Sequence, residues 1–275
     1  MKDRYDIAAI IWPSYTGDEP RSRIFWQEGY GEWQTVKAMT NKGYEGCRWP
    51  RKPLWGYINE ADKYVCEMQI KAATDHNVNV FIYDWYWYDN RPFLENCLNG
   101  FLTADNCSDM RFYLMWANHN ATYLWDKRNS ADTGTVVWKG TVTPEVFDSF
   151  SSYGWAGGTD IDRDYALVAQ DIKELYKSYA EWETPYYANL TIGWDNNLRF
   201  EGFKKGVMRN NTPEEFEKAC VNAREYTDRQ LSIKKTDAPL ITLNSWNEWT
   251  EGSYLEPDDL YGYGYLQAVK RVFGK

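Results

Sequence analysis

Short apolar runs alternate with amphipathic stretches along the chain. Ile7–Trp12 is an apolar run of strand length. Val78–Tyr83 is apolar except for Asn79, the pattern of a strand buried on both faces. Phe112–Ala117, Tyr186–Ile192 and Leu240–Leu243 are further strand candidates, and Thr135–Trp138 is a weaker one. Helical periodicity fills the intervals. Asn59 is placed to cap a helix whose apolar face is Ala61, Val65, Met68 and Ala72. A short helix follows Pro92, and Tyr165–Tyr179 carries Val168, Ile172, Leu175, Tyr176 and Tyr179 on one face. Thr212 as cap, Pro213 at the first position and Glu215 in a capping box start another helix, continued by Phe216, Cys220, Ala223 and Tyr226. The stretch 261–273 closes the chain as a helix.

Strand–helix alternation implies a parallel sheet with helical crossovers. No linker or charge block divides the 275 residues, so a single domain over 1–275 is expected. The architecture is either a doubly wound sheet or a (β/α)8 TIM-type barrel. No Gly-rich phosphate loop follows the first strand, against a nucleotide-binding sheet. Polar and aromatic residues instead recur just after strand ends: Asp84 to Trp87, Trp116 to His119, Trp194 to Asn196, Asn247 and Glu248. A barrel gathers such strand ends around one mouth, so the pattern favours the barrel. Only about six strands are visible, where a full barrel has eight.

Composition adds chemistry to this frame. Fifteen Trp and 22 Tyr exceed what a core needs and suit the faces and hydroxyls of sugar rings. A net charge of −9 argues against nucleic acid and anionic membrane as partners. No apolar run reaches membrane-span length. The N-terminus enters a strand without the long apolar stretch of a signal peptide, so the expected compartment is the cytoplasm, or an exported one if a leader has been removed. Five Cys without a CxxC indicate neither a disulfide framework nor a zinc site, and two His make a histidine-built metal centre unexpected. No metal or cofactor is expected.

The densest chemistry lies at 243–259, LNSWNEWTEGSYLEPDD. Glu248 and Glu251 are three apart, just beyond a buried strand. In a turn or helix that spacing brings side chains to about 5–6 Å, close to the carboxylate separation of retaining glycosidases. In an extended strand they would diverge; Gly252 suits a bend. Such a pair is ordinarily a solvated helix face, but a solvated face does not interleave Trp246 and Trp249 with its acids.

The run NSWNEWTEGSYLEPDDLYGYGYLQAV resembles the C-terminal signature of the WbsX-like proteins, which are related to glycoside hydrolase family 99. NEWTEG is similar to the N-E-W-x-E-G element of the family 99 endo-α-mannosidases. GEWQTV at 31–36, VFIYDWYWYDNRPFLE at 80–95, FYLMWANHN at 112–120 and TIGWDNNLRF at 191–200 agree in order. The resemblance implies a (β/α)8 barrel and a sugar substrate. It further implies Glu251 as general acid/base and Glu248 as the carboxylate that deprotonates the neighbouring 2-hydroxyl, with retention through a 1,2-anhydro sugar. One departure stands out. Relatives carry a long segment after VTPEVFDSF, whereas here Phe150 passes to Tyr153-Gly154-Trp155 almost at once, so a region around 147–160 is shortened and the barrel is expected to be reduced in the middle of the chain.

The candidate catalytic residues are therefore Glu251 and Glu248. The candidate substrate-binding residues are Asp84, Tyr86, Trp87, Trp116, Asn118, His119, Trp194, Asp195, Trp249 and Asn247. Each has a plainer reading. Asp84 can cap the next loop, Tyr86 and Trp87 can be loop packing, His119 can be a satisfied core histidine, and Trp194-Asp195 can be a turn. His76 reads as a helix C-terminal contact, Glu256 as surface or as support behind the site, and Glu32 and Trp33 as part of the rim. The leading functional expectation is a retaining glycoside hydrolase acting on a glycan or polysaccharide. The alternatives are glycosyl transfer in surface polysaccharide biosynthesis and non-catalytic carbohydrate binding.

Overall fold

The computed structural model describes residues 5–17, 19–39, 51–88, 90–117, 147–200 and 202–274. The strands are β1 (Asp6–Ile11), β2 (Val80–Tyr88), β3 (Arg91–Phe93), β4 (Arg111–Trp116), β5 (Asn189–Thr191), β6 (Leu240–Asn244), β7 (Asn247–Glu248) and β8 (Ser253–Tyr254). The helices are α1 (Trp33–Lys37), α2 (Lys63–Asp75), α3 (Asn96–Thr103), α4 (Tyr165–Ala180), α5 (Pro213–Ser232) and α6 (Gly264–Phe273). The weak strand expected at 135–138 lies outside the described residues.

The parallel strands lie in the order β4-β2-β1-β6-β5. This is a cyclic succession: the first strand pairs with the last long one, and the chain winds in one direction away from it. A doubly wound sheet reverses direction at its middle; a barrel does not. A parallel bridge between Phe150 and Tyr186 extends the run beyond β5.

The register sorts the side chains by period two. Ala8 and Ile10 of β1 stand beside Val80 and Ile82 of β2 and form an inner cluster with Met115 and Leu240. Ile7, Ala9, Ile11, Phe81, Tyr83, Ile241 and Leu243 belong to the larger core, together with residues from the helices. The central strands are thus covered on both faces, which explains their unbroken apolar runs.

Two sequence expectations are corrected here. The apolar run ends at Tyr83, but β2 continues to Tyr88, because its last residues pair with β3 in an antiparallel hairpin. Asp84 to Trp87 therefore lie within the strand rather than after it. On α2, Asp62 and not Asn59 caps the helix, through Tyr64 N, and Asn59 instead accepts from Ala61 N. The buried side of α2 is Cys66, Gln69, Ile70, Ala72 and Ala73, with Met68 turned to solvent. The helix at 213 starts as expected, with Thr212 accepting from Glu215 N and Phe216, Cys220, Ala223 and Tyr226 buried. Among the described residues no helix is long and apolar enough to cross a membrane.

Candidate active site

Past β6 the chain does not stay extended. β7 ends at Glu248, a 3₁₀ turn spans Trp249–Glu251, and Gly252 closes it with φ of 61°, a left-handed conformation that suits glycine. The turn sends both acids to the same side. Glu248 is 4% exposed and Glu251 7%, and the charge of Glu251 is felt at Glu248. The inward face of β2 carries Val80 and Ile82 upward into Asp84 and Tyr86, so the strand's alternation aims these two at the same place. With Trp12, Met115, Trp116, Ala117, Tyr153, Trp194 and Arg199 they line a cavity of about 350 Å³.

Arg199 is the centre of the site's electrostatics. Its Nη1 lies 2.5 Å from Glu251 Oε1, its Nη2 3.5 Å from Glu248 Oε1, and its Nε 3.4 Å from Glu32 Oε1. Burial opposes the charged guanidinium, but Glu251, Glu32 and Glu248 outweigh it and raise its pKa. The residue is aimed by its own turn. Asp195 Oδ1 accepts from Asn197 N at 3.0 Å and from Asn197 Nδ2 at 2.6 Å, which holds the 3₁₀ segment Asn197–Arg199. Glu32 is placed by Gly31, at φ of 63°, where a Cβ would come within 1.8 Å of the Ser14 carbonyl oxygen. Ser14 Oγ donates to Glu32 Oε2 at 3.1 Å, and the Trp12 indole N–H donates to the same oxygen.

The carboxyls face too little positive charge. Burial pushes Glu248 well above the usual carboxylate range, the charge of Glu251 adds to it, and Arg199 and the Tyr153 hydroxyl oppose it. Burial also raises Glu251 against the pull of Arg199. Such a pair titrates as a unit. The donors around the two acids differ. Glu248 receives the Tyr153 hydroxyl on Oε2 at 2.5 Å and faces Arg199 with Oε1, whereas Glu251 Oε2 has no hydrogen-bond donor among the described residues. Asp84 is pushed up to about 8, first by burial and then by the charge of Glu251, with Tyr86 opposing.

This gives a test independent of any substrate. The Asp84 carboxyl binds a proton in the folded protein that it releases at about 3.8 when unfolded, so stability falls as pH rises until the folded value near 8 is passed. The slope is about 1.4 kcal/mol per pH unit within that window. Asp84→Asn removes this contribution. Thermal unfolding between pH 4 and 8 is expected to show the variant gaining on wild type as pH rises, and a constant difference would contradict the protonated Asp84.

The remaining sequence candidates fall into three groups. Asp84, Tyr86, Trp116 and Trp194 line the cavity as expected; Trp116 is 65% exposed at its edge. Trp87 does not: period two turns it, with Trp85, to the other face of β2, where the two rings lie 5.5 Å apart and Trp87 is 44% exposed. Asp195, Asn247 and Trp249 are buried in support of the site rather than in its wall. Asp195 holds the Arg199 turn, and its N–H donates to Glu251 O at 2.7 Å. Asn247 clasps the Trp12 backbone, and Trp249 stacks on Tyr254 at 3.7 Å. Asn118 and His119 lie outside the described residues. His76 caps α2, with Nδ1 2.7 Å from Ala72 O.

Arg199, Tyr153 and the central position of Glu32 were not singled out in the sequence. Tyr153 comes from the segment that was expected to be shortened: Ser151 bonds Thr242 on β6, and two residues later Tyr153 reaches Glu248. Among the described residues no cluster of His, Cys, Asp and Glu has the arrangement of a metal site.

Comparison with known proteins fits this geometry. The solved structure of the GH99 endo-alpha-mannosidase from Bacteroides thetaiotaomicron superposes with a TM-score of 0.56 at 12% identity, covering 98% of this chain and 96% of that one. A structure described as a glycoside hydrolase-like protein gives 0.58 at 11% identity, covering 100% and 95%. These likenesses establish the fold as a TIM-type (β/α) barrel. Two curated relatives, both described as uncharacterized protein WxcX, from two strains of Xanthomonas campestris pv. campestris, are 21% identical over 339 residues. The alignment covers 92% of this chain and 47% of each relative, so the chain spans about half the length of the curated relatives it matches. Its 339 positions exceed the chain's 275 residues, so the relatives carry residues lacking here. The family model described as Glycosyltransferase WbsX matches residues 8–153 and 149–269, its two stretches meeting at the segment that delivers Tyr153. With nearly its whole length matched, the chain belongs to the WbsX family.

Proposed function

We propose that the protein is a retaining glycoside hydrolase acting on a neutral glycan or polysaccharide. The observation that carries the reading is the pair Glu248 and Glu251 on one tight turn in the wall of an aromatic cavity, both joined to Arg199. Glu251, with an oxygen that receives no donor, protonates the glycosidic oxygen as the C1–O bond breaks. Glu248, which receives the Tyr153 hydroxyl and faces Arg199, takes the proton of the 2-hydroxyl, whose oxygen closes on C1. Water then gives a proton to Glu251 and attacks C1, the O2–C1 bond breaks, and O2 recovers its proton from Glu248. Two displacements on C1 return the original configuration. Trp116 and Trp194 offer ring faces to the sugar. Among the described residues the carboxylates of the cavity outnumber its one guanidinium, which disfavours uronate or phosphate at this position.

A screen of neutral oligosaccharides and polysaccharides, with the anomer of the first product read by proton NMR, tests this. The retained anomer is expected. An inverted product rejects the mechanism, and glycan binding without any product favours a carbohydrate-binding role.

The family description favours a second reading, glycosyl transfer, in which a sugar hydroxyl replaces water in the second displacement. A nucleotide-sugar donor would bring its diphosphate to a wall of carboxylates, which argues against it. Calorimetric binding of a nucleotide sugar would restore that reading.

A further inference from the structure

Behind the 249–251 turn lies a second set of buried acids that the proposed chemistry does not use. Glu60 is 0% exposed and Glu256 2%. A single amide joins them: Gln69 Nε2 donates to Glu60 Oε1 at 2.9 Å and to Glu256 Oε1 at 2.8 Å. The shared nitrogen keeps the two acids no more than two hydrogen-bond lengths apart. Among the described residues neither forms an ion pair. Burial raises both carboxyls, Glu256 to about 7 and Glu60 with a further push from the charge of Glu256.

Each acid then grips one chain neighbour of Glu248. Asn247 Nδ2 lies 2.9 Å from both Glu60 oxygens, while the same amide accepts from Trp12 N and donates to Trp12 O, each at 2.8 Å. Trp249 Nε1 donates to Glu256 Oε2 at 2.7 Å. Holding residues 247 and 249 from behind fixes the direction in which residue 248 leaves the backbone. Apolar residues of similar volume would fill this space at no loss of stability, since buried acids are costly to desolvate. Orientation is what an apolar filling cannot supply.

We propose that the Glu60–Gln69–Glu256 bridge is the positioning device of Glu248, clamping Asn247 and Trp249 so that the Glu248 carboxyl meets Tyr153 and Arg199. The catalytic part of this proposal rests on the hydrolase reading; the geometric part does not. Gln69→Met keeps most of the volume and removes the bridging donor. Gln230→Met is the control, a buried glutamine on α5 whose Nε2 has no partner among the described residues. Glu248 itself faces Glu251, Arg199, Tyr153 and Asp84, all unchanged in both variants.

Protein labelled with carbon-13 at the glutamate carboxyls is titrated by NMR without substrate, the resonances being assigned with Glu248→Gln and Glu251→Gln. Gln69→Met is expected to move the Glu248 midpoint by about one pH unit, and Gln230→Met to leave it in place. On a glycan that the wild type cleaves, Gln69→Met lowers kcat about tenfold or more with KM within about twofold. An unchanged Glu248 titration in folded Gln69→Met overturns the proposal. Absence of cleavage by the wild type rejects the hydrolase reading and leaves the titration decisive for the bridge. Should Gln69→Met not fold, Glu256→Gln takes its place with the same readouts.

Discussion

Glu251→Gln is expected to lower kcat on a cleaved glycan by roughly 10²–10⁴-fold, the range associated with loss of a general acid. Affinity for the same glycan is expected to stay within a few-fold. The amide keeps the size of the carboxyl and can still face Arg199 Nη1 through its oxygen, so the cavity wall is preserved. What it loses is the proton for the leaving oxygen. A substrate whose leaving group is already a good one, such as a nitrophenolate, needs no such proton, and the variant's deficit is expected to shrink on it in the first half-reaction. Steady-state kinetics on both substrates, with binding read by calorimetry, separate the two effects. Equal activity of variant and wild type on an unactivated glycan would remove Glu251 from the mechanism.

Arg199→Met is expected to be the most damaging single change to stability in the site. The guanidinium is the charge shared by Glu32, Glu248 and Glu251, all nearly inaccessible to water. Removing one side of a buried ion pair costs about 3–5 kcal/mol, and here three acids lose it together. The sign of the pH dependence follows. Glu248 and Glu251 already sit above their unfolded values, and without the cation they rise further. Acids raised in the folded state contribute stability below their unfolded pKa and lose it as pH rises through the folded value. The deficit of Arg199→Met is therefore smaller near pH 5 than at pH 8. Denaturant unfolding at the two pH values measures it, and an equal deficit at both would mean that the acids do not rely on Arg199.

Which parts of this site were legible in the sequence depends on how each side chain is aimed. Glu248 and Glu251 were legible because their aim is local: a spacing of three, a glycine and interleaved tryptophans describe the turn. Asp84 and Tyr86 were legible as residues but not as parts of a strand. The apolar signal stops at Tyr83, and the continuation is held by the hairpin to β3, a non-local pairing that hydrophobicity does not register. The same alternation that brings Tyr86 in takes Trp87 out. Arg199 is harder. In Asn196-Asn197-Leu198-Arg199 it reads as an ordinary exposed cation, and only the Asx turn made by Asp195 turns it inward. The signal available was Asp195 itself, which was counted as a sugar ligand. Gln69 was invisible for another reason. An apolar-face template selects Val65 and Met68 and passes over a polar residue in the buried stripe, although Cys66, Ile70 and Ala73 flank it there. The barrel was favoured because polar residues cluster after strand ends, and the pairing of β1 with β6 gives it a physical basis.

That pairing also sets when the site can exist. The bond between Trp12 N and Asn247 Oδ1 spans 235 positions of sequence. The β1–β6 ladder is comparably long-range. Contacts of such separation carry a large loop-closure entropy and favour late formation. Glu32 and Arg199 both lie within the loop that this pairing closes, and Glu251 lies just beyond it. Until β6 docks on β1, Glu248 and Glu251 lack the burial that raises their carboxyls. Docking of β6 on β1 gathers them, so the raised pKa values of Glu248 and Glu251 belong to the paired sheet.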